Sequence, residues 1–450
     1  MTAAATIAEL TPLLRRGRLR ASDLVDASLR AIDARDRELN AFITVTGDQA
    51  RAEADAADRD AAAGRWRGPL HGIPISIKDL VDVAGLPTTA ASRVRAGHVA
   101  TADAPAVERL RAAGAIIVGK TNLHEFAFGA TNEDSAFGPS RNPHDPTRSP
   151  GGSSGGSAIS VATGMALASL GTDTGGSIRI PAGACGIVGL KPKFGEVPCD
   201  GVVPLSHTLD HVGPLTRSVR DAWILYDVLR GAARDPDGWE PRPEPLTLGV
   251  PRRYFLERLD PAIDALFAAA LDRLQRAGHL IREVDVPHAD LIATVYLHTV
   301  LADAAAYHAP LLDARGQDYT PAVRLRLEMG RYVLAEDYVR AQQARARLRA
   351  SVDRALEGVD ALALPTLPIP APPLGAESVQ MGDKSEPVRA GMLRLTQLFN
   401  VTGHPAISLP MGKTPAGLPG GMQLAGMETP ALLEAALVLE PIITTEPIGL

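Results

Sequence analysis

Apolar positions recur at two different periods along this chain. Near the N-terminus, Leu24, Val25, Ser28, Leu29 and Ile32 follow helical spacing, with Ser22 as the expected N-cap and Asp23 in the first turn. A second helix is expected at about 48–63. It is Ala-rich and strongly charged, which suits a solvated or partner-facing helix better than core. Residues 1–65 thus read as a helical arm. From Leu70 the pattern changes: 73–77 reads as a strand, 104–113 as a helix and 115–119 as the next strand. Strand, helix and strand recur at 246–250, 261–277 and 280–286. Residues 290–357 read as mostly helical, with Arg-rich faces, and 361–364 as a short strand. Pro and Gly mark 231–245 as a surface loop, and five prolines mark 365–373 as an extended segment beside the sheet. Such alternation implies an α/β protein whose sheet is covered by helices on both faces.

Composition mainly narrows the function classes. A hydrophobic content of 45% over 450 residues implies a globular protein with a large core. A net charge of −6 gives no basic footprint for nucleic acid. No run of about 18 apolar residues is apparent, so no membrane span is expected. The N-terminus lacks the order of a signal peptide. Cys185 and Cys199 read as small buried residues in a reducing compartment, hence a cytoplasmic protein. His207 and His211 have no acidic or His cluster at ligand spacing, so no metal is expected.

Chemistry concentrates in one stretch. Gly151-Gly152-Ser153-Ser154-Gly155-Gly156-Ser157 precedes an apolar segment, and Gly171-Thr172-Asp173-Thr174-Gly175-Gly176-Ser177-Ile178-Arg179 follows it. Backbone N–H groups in such loops can turn toward an anion. Flexible linkers would not enclose the apolar runs at 158–162 and 165–170. A phosphate loop needs a Gly-Lys-Ser or Gly-Lys-Thr ending, which neither loop has. Residues 151–155 do fit G-x-S-x-G, the nucleophile elbow of α/β-hydrolases. With His207, His211 and His404 available downstream, that reading stays open on pattern alone.

The lysines change the balance. Among 46 basic residues only six are Lys: 78, 120, 191, 193, 384 and 413. Lys78 ends the apolar strand Gly-Ile-Pro-Ile-Ser-Ile-Lys-Asp. A desolvated Lys can shed its proton and act as a base, whereas Arg cannot. Ser–Lys pairs are a known form of nucleophilic triad.

Lys78 in that strand, the GGSSGGS loop and the DTGGSIR segment together resemble the amidase signature family. Residues 119–126 resemble the family's loop ahead of the serines, residues 181–192 its segment after them, and residues 403–408 and 417–423 its C-terminal strands. The resemblance is dense over about 69–220 and returns over about 395–426.

It implies one domain over 1–450 with a large mixed sheet. A signature core at 66–230 would be followed by a variable substrate-shaping region at 231–390 and a return to the core at 391–450. It also implies hydrolysis of a small amide, anilide, carbamate or urea without a cofactor. Ser177 would be the nucleophile, Ser153 (after a cis peptide) the proton relay and Lys78 the base. The N–H groups of Thr174, Gly175, Gly176 and Ser177 would form an oxyanion hole. Asp173 and Arg179 read as an ion pair holding this loop. Phe126, Phe128 and Gly129 are candidate pocket residues, although the phenylalanines equally suit packing under the loop. The helical arm offers homodimer contacts. The alternative is a glutamine amidotransferase subunit passing ammonia to a partner that acts on charged tRNA. Such subunits usually carry Thr and Arg where this chain has Lys193 and Glu196.

Overall fold

The computed structural model describes residues 5–232 and 245–445. Thirteen strands occur among them: β1 Phe42–Val45, β2 Pro74–Lys78, β3 Ile116–Thr121, β4 Ala168–Thr172, β5 Val188–Lys191, β6 Val212–Thr216, β7 Thr247–Pro251, β8 Leu280–Val284, β9 Ala361–Pro365, β10 Ser378–Met381, β11 Lys384–Pro387, β12 Ala406–Lys413 and β13 Pro419–Ala425. Eleven join one mixed sheet in the order β1-β3-β2-β4-β6-β5-β12-β13-β9-β7-β8, while β10 and β11 form a separate hairpin. β3, β2 and β4 run parallel, as do β9, β7 and β8, and antiparallel strands join the two triplets. Helices cover both faces, as the alternation implies.

The pleat decides which residue enters which core. On β3, Ile117 packs into the larger cluster and its neighbours Ile116 and Val118 into the smaller one on the opposite face. On β2, Ile75 and Ile77 face the larger core. Ser76 between them meets Ser160 Oγ at 2.9 Å and Ser169 Oγ at 2.8 Å. These buried hydroxyls satisfy one another and let the helix Gly155–Ala162 lie close on the sheet.

Three expectations change. The N-terminal arm is not wholly helical, because β1 interrupts it and pairs antiparallel with β3. The helix Gly47–Ala62 buries Ala50, Ala54 and Ala57, so its small residues are core and only its charged side is solvated. Ser22 is not the N-cap of Ala21–Leu39. Asp58, from the following helix, instead accepts from the N–H groups of Ala21 at 2.6 Å and Ser22 at 3.2 Å. Ser22 donates its own hydroxyl to Asp58 at 2.7 Å.

Of the surface loop expected at 231–245, residues 233–244 lie outside the described residues. The stretch 289–318 is long and apolar enough to cross a membrane, contrary to expectation, but half of it is buried within the fold. Its Asp303 accepts hydrogen bonds from Ser206 and Thr208, as a core helix of a globular protein would. Cys185 is buried, Cys199 is half-buried, and both are unpaired.

Candidate active site

Lys78 and Thr172 lie at the ends of adjacent parallel strands, β2 and β4. The Gly/Ser loop enters the helix Gly155–Ala162 between them, and the Gly152–Ser153 peptide is cis. Lys78 Nζ donates to Ser153 Oγ at 2.7 Å and to Thr172 Oγ1 at 2.8 Å. Its side chain is fully buried. Burial pushes its pKa down to about 7, although the charges of Asp173 and Asp210 pull it part of the way back. Lys120 and Lys191 are buried too. Lys120 has the Asp79 carboxylate 3.0 Å away, and Lys191 donates to the Pro192 carbonyl at 3.0 Å. Only Lys78 among the three faces two hydroxyls.

The glycines of the first loop serve close packing. An added methyl carbon at Gly156 would fall 2.3 Å from the Ala41 carbonyl oxygen and 2.5 Å from that of Asn122. Gly176, with φ of 136°, supplies the positive φ that the second turn requires.

That second turn is built around Asp173. Its carboxylate accepts from the N–H of Gly176 at 2.8 Å and of Ile178 at 3.1 Å, and Arg179 binds both its oxygens at 2.9 and 3.0 Å. Burial pushes the Asp173 carboxyl up, but the Arg179 guanidinium overrides this and holds it well below the usual carboxylate range. Arg179 is itself gripped by the Thr396 carbonyl and the side chains of Gln423 and Asn400. Asp173 and Arg179 thus form the buried ion pair that the sequence suggests.

Gly176 differs from expectation: its N–H is committed to Asp173. The N–H groups of Thr174, Gly175 and Ser177 have no partner among the described residues. Ser177 is buried, at 4% exposure. It does not hydrogen-bond Ser153 Oγ. The two loops meet instead through the Ser154 N–H, which donates to the Ser177 carbonyl at 3.2 Å. Catalytic hydrogen bonds are often loose without substrate.

The loop over 121–131 lies against this pair, and the His124 N–H donates to the Ser153 carbonyl at 3.1 Å. Phe126 turns away into an aromatic cluster with His308 and Tyr319, at centroid distances of 4.4 and 5.3 Å. Its packing role therefore prevails. The Phe128 ring has Arg326 and Arg389 at 5.9 and 5.7 Å. Gly129 abuts the His124 ring, where a methyl carbon would fall 2.0 Å from Nε2.

No histidine ring bonds either serine hydroxyl among the described residues. His211 Nδ1 lies 2.7 Å from the Leu209 carbonyl, His404 sits between Thr402 and Asp353, and His207 is exposed. The elbow reading loses its base. Thr172, Thr396, Asn400 and Gln423 were missed as site residues. Thr172 carried a signal, standing beside Asp173 in the second Gly-rich segment, and Gln423 closes the 417–423 segment; Thr396 and Asn400 carried none.

A buried Ser–Lys contact thus lies beside a turn with three backbone N–H groups unpartnered among the described residues. Comparison with known proteins gives the family. A family model described as Amidase matches residues 23–430. An amidase from Pseudomonas putida is 40% identical over 454 residues, covering 98% of this chain and 96% of that protein. A glutamyl-tRNA(Gln) amidotransferase subunit from Roseiflexus sp. (strain RS-1) is 39% identical over 457 residues, covering 94% and 92%. A crystal structure of an amidase superposes with a TM-score of 0.93 at 40% identity, covering 98% of this chain and 100% of that one. The native peptide amidase of Stenotrophomonas maltophilia superposes at 0.81 with 30% identity, covering 99% and 98%. The chain belongs to the amidase family and is a hydrolase of C–N bonds.

Proposed function

We propose that the chain cleaves small amides, anilides, carbamates or ureas through an acyl-enzyme on Ser177. The observation that carries this reading is the buried Lys78, hydrogen-bonded to Ser153 and held near neutrality at about 7. Ser177 Oγ attacks the carbonyl carbon as its proton passes to Ser153 Oγ, and the Ser153 proton passes to Lys78 Nζ. The oxyanion settles on the N–H groups of Thr174, Gly175 and Ser177. Each such donor is worth roughly 2.7–4 kcal/mol in acyl transfer. The C–N bond then breaks, and Lys78 returns the proton through Ser153 to the departing nitrogen. Water repeats the sequence on the ester, releasing the acid and Ser177. No step calls on a metal or organic cofactor.

Amidotransferase subunits share this machinery. Glu196, where they usually carry Arg, accepts from Tyr226 at 2.9 Å and also from Thr429, which ties it into local structure. We favour the partner-independent hydrolase, acting in the cytoplasm on small molecules, as a monomer or homodimer. The test is turnover of glutamine, simple amides, anilides and carbamates by the purified chain without ATP or a second subunit. Hydrolysis of an anilide or carbamate is expected. Activity with glutamine alone, and only alongside a co-purified partner, would replace this reading with the amidotransferase.

A further inference from the structure

A cavity of ≈ 240 Å³ has Tyr254, Tyr296, Arg389, Arg394 and Gln397 in its wall. Tyr296 connects it to the Thr174–Ser177 turn: a methyl carbon added at Gly175 would fall 2.5 Å from the Tyr296 hydroxyl. Gln397 connects it a second time. It follows Thr396, whose hydroxyl donates to the Gly175 carbonyl at 2.6 Å. Through Tyr296 and the segment at Thr396–Gln397, the cavity wall reaches the turn.

The cavity wall carries two guanidiniums, Arg389 and Arg394, and one carboxylate, Glu386. Arg389 forms no ion pair or hydrogen bond among the described residues, and its Nε is buried without a partner. It rests on the Phe128 ring at 5.7 Å, with Arg326 on the same ring at 5.9 Å. Arg394 stacks on Tyr254 at 3.9 Å, and its Nε is also unpartnered. The charges of Glu257 and Glu386 reach Arg394, whereas no acid among the described residues stands against Arg389. Glu386, in the same wall, pairs with Arg258 at 2.9 Å, and Asp134 pairs with His124 at 3.1 Å. Withdrawing a guanidinium from water without a counter-ion is costly. Its planar fork matches a carboxylate, which it binds through two parallel N–H···O contacts.

We infer that this cavity is a subsite for a carboxylate borne by the substrate, with Arg389 as the residue that selects for it. The inference rests on the amidohydrolase reading and narrows it: the preferred amides carry an anionic group, on either the acyl or the amine portion.

Matched substrates test this. For the acyl portion, succinic and glutaric mono-4-nitroanilides are compared with butyric and valeric 4-nitroanilides. For the amine portion, N-acetyl-4-aminobenzoate is compared with acetanilide. In one of the two series, kcat/KM should favour the charged member by roughly 10–100-fold, the range of a hydrogen-bonded charge. Arg389→Met should bring that ratio close to one, and Arg389→Lys should restore part of it. Equal kcat/KM within both series, or an unchanged ratio in Arg389→Met, would overturn the subsite. Calorimetry of the same carboxylate compounds with Ser177→Ala separates the two readings. Binding that Arg389→Met abolishes, without any turnover by the intact enzyme, would keep the subsite and sink the hydrolase. Absence of both binding and turnover would sink the subsite.

Discussion

Lys78 illustrates how one residue type takes different work from its surroundings. Lys120 is equally buried but faces a carboxylate, whereas Lys78 faces two hydroxyls that a neutral amine also satisfies. As the proposed base, it must be unprotonated when Ser177 attacks. Turnover should therefore be low in acid and rise with pH through about 7, where Lys78 loses its proton. Lys78→Arg and Lys78→Ala should both lose activity by orders of magnitude while remaining folded. Arginine stays charged up to a pKa of about 12 and cannot accept the proton. An Arg variant within about tenfold of wild type, a barrier change of only ~1.4 kcal/mol, would refute the base. Thr172→Val tests the second hydroxyl. It removes an acceptor from the charged form, so the rising limb of the pH profile should move below about 7. Unmoved, that limb would leave Thr172 with a packing role only. Lys78, Ser153 and Ser177 could be singled out as candidates because their local patterns are rare. Arg389 was not, because it is one arginine among many and its meaning lies in the absence of an acid from distant segments.

At the scale of elements, pattern alone succeeds where a segment explains itself. Strands β2, β3 and β7 and the helix Pro261–Arg276 lie within a residue or two of expectation, since their periodicity is local. β1 was missed because four residues between two helices carry little pattern, and only pairing with β3 makes them a strand. The N-cap of Ala21–Leu39 was misplaced for a similar reason, since its acceptor comes from another helix. Asp58→Ala should cost about 0.5–2 kcal/mol in urea unfolding, the worth of an N-cap, with activity retained. The turn around Asp173 is more demanding. Asp173→Asn leaves the Arg179 guanidinium buried without its counter-charge, and breaking such a pair typically costs about 3–5 kcal/mol. Because the folded-state pKa of Asp173 is depressed, its stabilisation is complete above about 3.8 and fades only as pH falls well below that value. A fluorophosphonate should label Ser177 in wild type and much less in Asp173→Asn, read by peptide mass mapping.

The whole molecule joins two parallel triplets of strands through an antiparallel centre. The densest resemblance falls on one triplet and that centre, while 231–390 builds the other triplet and the helices around the cationic cavity. Fold class was thus readable from end to end, but substrate preference was not, because it sits where local pattern is weakest. One feature spans the full length: Arg179 is held by Asn400 and Gln423, 221 and 244 residues further along the chain. During synthesis, Ser177 emerges from the ribosome long before the partners that fix its turn. With Ser177 as the proposed nucleophile, an unfinished chain should carry it without a working site, and hydrolysis should begin only once β13 has joined β12 and β9. Nascent chains stalled at residue 390 should resist fluorophosphonate, and chains released at full length should take it up. Translation itself would then act as the safety catch, sparing the cell a half-made hydrolase.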